Sequence, residues 1–242
     1  YRNKAVSVNP PEGVTRVMMI GDSLTFGWGV PSNETVSSRL EVLLNDSAGE
    51  RSFEVINTGV GNTNTEMQVA SFLNRGALFS PNIVILNYFI NDAEPIPRPT
   101  KNFLMKHSAA YVFFSLRLSS ISRLFLGGKQ WYQYYSDLYN EENDGWIRAK
   151  AAISRLSKYS YSKGIKLMIV NYPELHHLNP YPFDYINIKL KSVADEQRIP
   201  FVDLLQNLQG ESEADLWVSQ QDQHPNSFAC KLIASAIQKA LT

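Results

Sequence analysis

Only one of the 242 residues is a cysteine, Cys230. That excludes an intramolecular disulfide and a zinc site built on several thiolates, and it leaves the compartment open. Net charge is lacking too, since 23 Lys and Arg balance 23 Asp and Glu. The balance speaks against a nucleic-acid binder held mainly by phosphate contacts and is indifferent to an uncharged substrate. There is no long apolar run. The most apolar stretch, residues 109–126, is broken by Arg117, Arg123 and several serines, and falls short of the ~20 apolar residues that a membrane-spanning helix needs. Internal repeats and low-complexity tracts are absent, as is a G-x-x-x-x-G-K-[ST] loop, which disfavours a P-loop phosphoryl-transfer enzyme. The chain opens on Tyr1-Arg2-Asn3-Lys4 without an initiator Met. This is the expected start of a processed chain, with any signal or membrane anchor upstream.

What is present is globular in character, with 44% hydrophobic residues. The length suits one large domain or at most two small ones, and a single domain over residues 1–242 is expected. Residues 14–20 (VTRVMMI) form a short apolar run ending at Gly21, which reads as a buried strand. Similar runs predict strands at 53–57, 82–88, 165–170 and 200–205. Between them, residues 35–45 and 65–79 carry apolar positions at helical spacing, the latter through Met67, Ala70, Leu73 and Leu78. The last helix, 226–241, places Phe228, Leu232, Ile233, Ala236, Ile237 and Leu241 on one face. Unbroken aliphatic strands alternating with helices imply a parallel sheet covered on both faces. Such sheets bind ligands at the carboxyl ends of their strands.

Residues 93–146 interrupt this rhythm as an insertion. A proline-rich turn leads to a helical stripe of Tyr111, Phe114, Leu118, Ile121 and Phe125. After Gly127-Gly128 comes an aromatic cluster of Trp131, Tyr132, Tyr134, Tyr135 and Tyr139. Two readings stand: a helical pair burying its own face, or a lid or substrate platform beside a site.

Four polar segments fall at the carboxyl edge of the expected sheet. Gly21-Asp22-Ser23-Leu24 joins the first strand to a helix. Asn57-Thr-Gly-Val-Gly-Asn62-Thr-Asn-Thr65 follows the second, Phe89-Ile90-Asn91-Asp92 the third, and Asp222-Gln223-His224-Pro225-Asn226 precedes the last helix. Alone, a serine before a helix reads as a cap. Together the segments supply a hydroxyl, backbone donors, a side-chain amide and an imidazole, which are the parts of an acyl-transfer site.

With these four blocks in this order, the chain resembles the SGNH (GDSL) hydrolase family over nearly its whole length. The resemblance implies a three-layer α/β/α fold of flavodoxin-like type, with a five-stranded parallel sheet ordered 2-1-3-4-5. It implies Ser23 as nucleophile, His224 as general base and the Asn91 amide in the oxyanion hole with the N–H groups of Ser23 and Asn62. It also implies ester hydrolysis or acyl transfer with neither metal nor organic cofactor. The chain departs from the family pattern in three places. Asn62 stands where a glycine is usual, with Gly61 as the alternative register; Asn tolerates unusual φ better than most residues. Phe89 replaces a glycine, which would narrow an acyl pocket. Gln221 occupies the usual position of the acid, so Asp222, two residues before His224, becomes the expected orienting acid. In an extended segment, residues two apart point the same way.

Other candidates carry a plainer expectation. Asp22 and Asp92 should bond loop N–H groups, as in Asx turns. His176 and His177 follow the fourth strand and lack the further ligands of a metal site; they are expected as exposed loop residues, with substrate contact as the alternative. His107 is expected to be structural, and Cys230 to act as a small buried apolar residue. The functional expectation is a serine carboxylester hydrolase acting on short acyl groups, such as O-acetyl on a glycan. The alternatives are an O-acyltransferase using the same acyl-serine and a non-catalytic SGNH-like binding module; Ser23, His224 and Asn91 are all present, which argues against the module. The expected partner is a small-molecule or glycan ester, not nucleic acid. An exported protein of the bacterial periplasm or cell envelope is expected, a cytoplasmic one otherwise.

Overall fold

A computed structural model describes residues 5–95 and 128–241. Five strands form one parallel sheet: β1 (Val14–Ile20), β2 (Ser52–Asn57), β3 (Ile83–Phe89), β4 (Lys166–Tyr172) and β5 (Phe201–Asp203), in the order β2-β1-β3-β4-β5. The helices are α1 (Ser23–Phe26), α2 (Val36–Ser47), α3 (Thr65–Asn74), α4 (Gly128–Leu138), α5 (Asp144–Ser162), α6 (Asp184–Glu196), α7 (Leu205–Leu208), α8 (Glu213–Leu216) and α9 (Ser227–Leu241). A two-stranded antiparallel arm, β6 (Trp217–Ser219) and β7 (Asp222–Pro225), stands beside the sheet. The order reverses at β1, so the switch point falls at the carboxyl ends of β1 and β3.

Alternation along the strands divides the core in two. Val17, Met19, Ile85 and Val170 face α2 and α9, meeting Leu40, Leu44, Ile233 and Ile237. Met18, Ile20, Val84, Leu86 and Ile169 face the other way, meeting Phe72 of α3, Ile153 and Leu156 of α5 and Leu190 of α6. The small Ala229, Cys230 and Ala234 let α9 approach the sheet closely, and Cys230 is buried as expected. Among the described residues, no helix is long and apolar enough to cross a membrane.

Four expectations are corrected. The helix over 65–79 breaks at Arg75, and a 3-10 turn (Gly76–Phe79) follows. Its buried face is Thr65, Gln68, Val69 and Phe72, whereas Met67 and Leu78 are exposed; the Asp92 carboxylate draws Gln68 inward through a 2.7 Å hydrogen bond. Phe228 is 42% exposed, turned away from the face that Ala229 and Cys230 present. The fifth strand ends at Asp203 because its carboxylate accepts from Leu205 N–H at 3.0 Å and starts a helical turn. The segment Asp222–Pro225 is a strand, not a loop.

The expected stripe from Tyr111 to Phe125 and His107 lie outside the described residues. The aromatic cluster beyond it divides. Tyr139 is buried, its hydroxyl shared with Tyr88 at 2.8 Å and donated to the Ile90 carbonyl at 3.0 Å. Tyr132 and Tyr134 are exposed, and Trp131 and Tyr135 are half-buried.

Candidate active site

The carboxyl ends of β1, β2 and β3 are cross-tied, and small residues make this possible. A Cβ on Gly21 would meet Thr25 Oγ1 at 2.0 Å and the Asn87 carbonyl at 3.1 Å; one on Gly59 would meet Phe26 N at 2.2 Å. Only glycine allows those approaches. The loop after β2 is then pinned to the first: Val60 N–H donates to the Gly21 carbonyl at 3.0 Å, and Asn57 Nδ2 donates to the Thr25 carbonyl at 2.7 Å. Asn64 caps α3 by accepting from Met67 N–H and reaches the Glu94 carbonyl at 2.7 Å, linking the second and third loops.

Ser23 opens α1, so its N–H is one of the first-turn donors that no intrahelical carbonyl reaches. Its hydroxyl lies 2.9 Å from His224 Nε2. His224 Nδ1 lies 2.5 Å from Asp222 Oδ1, which also accepts from the His224 main-chain N–H at 3.1 Å. Both lie on the extended strand β7, in which Asp222 and His224 face the same side. Gln221 lies next to this strand and also borders the cavity. A hydroxyl, an imidazole and a carboxylate in series can carry the serine proton to the ring as the oxygen attacks a carbonyl.

Asn62 and Asn91 border the same space as Ser23. Asn62 holds φ 59°, the left-handed region that asparagine tolerates. Gly61 stands close behind, a Cβ there falling 3.9 Å from Ser23 Cβ. The Asn91 amide hydrogen-bonds the Asp22 carboxylate. Its NH2 carries two hydrogens, so one remains for a ligand.

Asp22 and Asp92 bond loop N–H groups as expected: Asp22 Oδ1 accepts from Leu24 N–H at 2.9 Å and Asp92 Oδ2 from Phe89 N–H at 2.8 Å. Both are buried as well, 3% and 1% exposed. Burial pushes the Asp22 carboxyl up to about 6, while the Leu24 N–H, His224 and Asn91 draw it down. Asp92 is raised well above the usual carboxylate range, by burial first and then by the charge of Asp22.

Asp22, Ser23, Asn62, Asn91, Asp222 and His224 line a cavity of about 410 Å³, bordered also by Phe89, Trp131, Tyr135, Glu174 and His176. Trp28, 54% exposed, stands with its ring 6.5 Å from that of His224. A roomier cavity of about 690 Å³ lies between the loop after β2 and α3, away from Ser23 and His224. Both His176 and His177 are exposed as expected, but His176 also borders the cavity beside Ser23. Sequence reasoning missed Glu174, although its spacing to His176 repeats that of Asp222 to His224. Among the described residues, no cluster of three or more His, Cys, Asp or Glu could hold a metal ion.

Comparison with known proteins agrees with this architecture. The profile of the GDSL-like Lipase/Acylhydrolase family matches residues 19–229. Among solved structures, a two-domain esterase active on acetylated mannans is 14% identical with a TM-score of 0.62. The match covers 94% of this chain and 49% of that one, so the chain spans about half the length of that relative. The acetylxylan esterase Axe2 from Geobacillus stearothermophilus is 16% identical with a TM-score of 0.62, over 94% of both chains. A protein of the G-D-S-L family from Desulfitobacterium hafniense DCB-2 is 17% identical with a TM-score of 0.56, covering 93% of this chain and 99% of that one. No curated protein matches by sequence.

Proposed function

Since the chain belongs to the GDSL-like lipase/acylhydrolase family, a family of ester-cleaving enzymes, we propose that it is a serine carboxylester hydrolase removing short acyl groups, such as O-acetyl, from a glycan. The observation that carries this reading is the series Ser23 Oγ–His224 Nε2 (2.9 Å) and His224 Nδ1–Asp222 Oδ1 (2.5 Å) at the switch point of the sheet. His224 takes the Ser23 proton as Ser23 Oγ attacks the ester carbonyl. The oxyanion formed is held by the N–H groups of Ser23 and Asn62 and by the Asn91 amide. Asp222 holds the imidazole with its proton on Nδ1 and stabilises the imidazolium. The protonated ring then releases the alcohol, and His224 activates water to free the serine.

Phe89 on the cavity wall supports a small acyl group, because its ring occupies space that a longer chain would need. The half-buried Trp131 and Tyr135 on the same wall support a sugar as the alcohol, since aromatic faces suit the apolar faces of sugar rings. The activities of the mannan and xylan esterases point the same way.

The test is the Ser23→Ala variant assayed on p-nitrophenyl esters of increasing chain length and on acetylated oligosaccharides, each with and without an acceptor sugar. Loss of all hydrolysis in a folded variant, and labelling of Ser23 by an organophosphonate, are the expected results. Near-native activity without Ser23 would sink the reading. Acyl transfer to the sugar in preference to water would reassign the enzyme as an O-acyltransferase.

A further inference from the structure

The segment leaving β4 holds a second acid–imidazole pair on the cavity wall. Glu174 is buried at 6% exposure, and its carboxylate is occupied twice by one residue: Oε2 accepts from the His176 main-chain N–H at 2.9 Å, and Oε1 pairs with His176 Nδ1. This repeats the arrangement of Asp222 and His224, an acid two residues before a histidine that takes both its ring and main-chain N–H. The difference is at the outer nitrogen. His224 Nε2 meets Ser23, whereas His176 Nε2 has no partner among the described residues.

The surroundings of the second pair are built, not incidental. The His176 ring neighbours two indoles, its centroid 6.1 Å from that of Trp131 and 5.7 Å from that of Trp217. Both indoles are anchored: Trp217 Nε1 donates to the Leu175 carbonyl at 3.1 Å, and Trp131 packs edge-on against Phe183 at 4.7 Å. The Tyr181 hydroxyl accepts from Glu174 N–H at 3.0 Å and fixes the turn. Burying a carboxylate is costly unless it is paired. Here its side-chain partner is an imidazole left 44% exposed at the cavity. The hydrogen bond to Glu174 also raises the His176 pKa; in the neutral ring it keeps the proton on Nδ1 and leaves Nε2 as an acceptor.

We propose that Glu174 and His176, with Trp131, form a subsite for a pyranose ring of the substrate, in which the Trp131 indole packs against the ring and His176 Nε2 accepts a hydrogen bond from a sugar hydroxyl. Glu174 is the positioning residue: it holds the ring with Nδ1 inward and Nε2 toward the cavity. The subsite rests on the reading of Ser23 as the nucleophile of a glycan esterase, and it names the residues that select the alcohol.

Two measurements separate the subsite from that reading. The first is titration of the full-length Ser23→Ala protein with xylopentaose, mannopentaose and chitopentaose, followed by tryptophan fluorescence. At least one sugar should give a saturable change, and adding His176→Ala should weaken it by ~10-fold, the scale of one hydrogen bond. The second compares kcat/KM on an acetylated oligosaccharide with kcat/KM on p-nitrophenyl acetate. His176→Ala should lower that ratio ~10-fold through KM, Glu174→Gln less, and His176→Gln should recover part of the loss because its amide oxygen can still accept. No saturable change with any of the three sugars overturns the subsite even if esterase activity stands. An unchanged ratio in His176→Ala overturns it as well. If the wild-type protein hydrolyses neither ester, the esterase reading fails and the titration alone decides the subsite.

Discussion

Asp222 and His224 stand two residues apart on one short strand, and a single carboxylate oxygen, Asp222 Oδ1, holds both the ring Nδ1 and the main-chain N–H of His224. The acid therefore orients the ring and the backbone that carries it. Extended geometry makes this possible, because residues two apart share a face. It also leaves Gln221, with the opposite alternation, out of this pair.

Replacing Asp222 by Asn is expected to lower kcat by up to ~10⁴, the cost of losing the orienting acid in a serine triad, whereas Gln221→Ala should cost far less. Steady-state kinetics of the two variants on p-nitrophenyl acetate check this. A nearly silent Asp222→Asn would leave a Ser–His dyad, and comparable losses in both variants would mean that the arm matters as a whole.

Asn91→Ala is expected to lower kcat by roughly 10²-fold with little change in KM, because a donor to the oxyanion acts mainly in the transition state. An effect confined to KM would assign Asn91 to substrate binding alone. The Asn91 amide is tied to Asp22, so Asn91→Asp should be at least as damaging, placing a second acid against a buried carboxylate.

Phe89→Ala should shift preference toward longer acyl chains, since the ring lines the cavity beside Ser23 and Asn91. The ratio of kcat/KM for p-nitrophenyl hexanoate to that for the acetate is expected to rise. Its staying constant would place the acyl chain elsewhere.

The buried Asp22 predicts a pH-dependent stability. Its folded pKa, about 6, lies above the ordinary 3.8, so the protonated form is favoured in the folded chain. That contribution is complete below about pH 4 and is lost as pH rises through 6. Asp22→Asn should therefore gain stability relative to wild type between pH 4 and pH 7.5, by up to about 3 kcal/mol. Urea denaturation across this range measures the gap. A gap independent of pH would mean that Asp22 is already ionised when folded.

The sequence by itself determined the sheet and the positions of its edge. Runs such as VMMI (17–20) and IVIL (83–86) are apolar at every position, and only a strand covered on both faces buries such a run completely. The residues that follow them, Gly21 to Ser23 and Asn91, then had to lie at the carboxyl edge. Local patterns were less informative where a helix had a choice of faces. For α3, the buried side follows from Gln68 reaching Asp92 and Phe72 meeting the sheet, and both partners are distant in sequence.

The tertiary structure alone decided what depends on separations of many residues. The 2.9 Å between Ser23 and His224 spans 201 positions, and no local periodicity encodes it. The burial of Glu174, the placing of His176 near Trp131 and Trp217, and the pairing of Asp222 rather than Gln221 with the imidazole were likewise decided by how the arm β6–β7, helix α4 and the turn after β4 meet above the sheet. Hydrogen bonds and indole contacts act over a few ångströms, so the residues they join become readable only once the fold has brought them together.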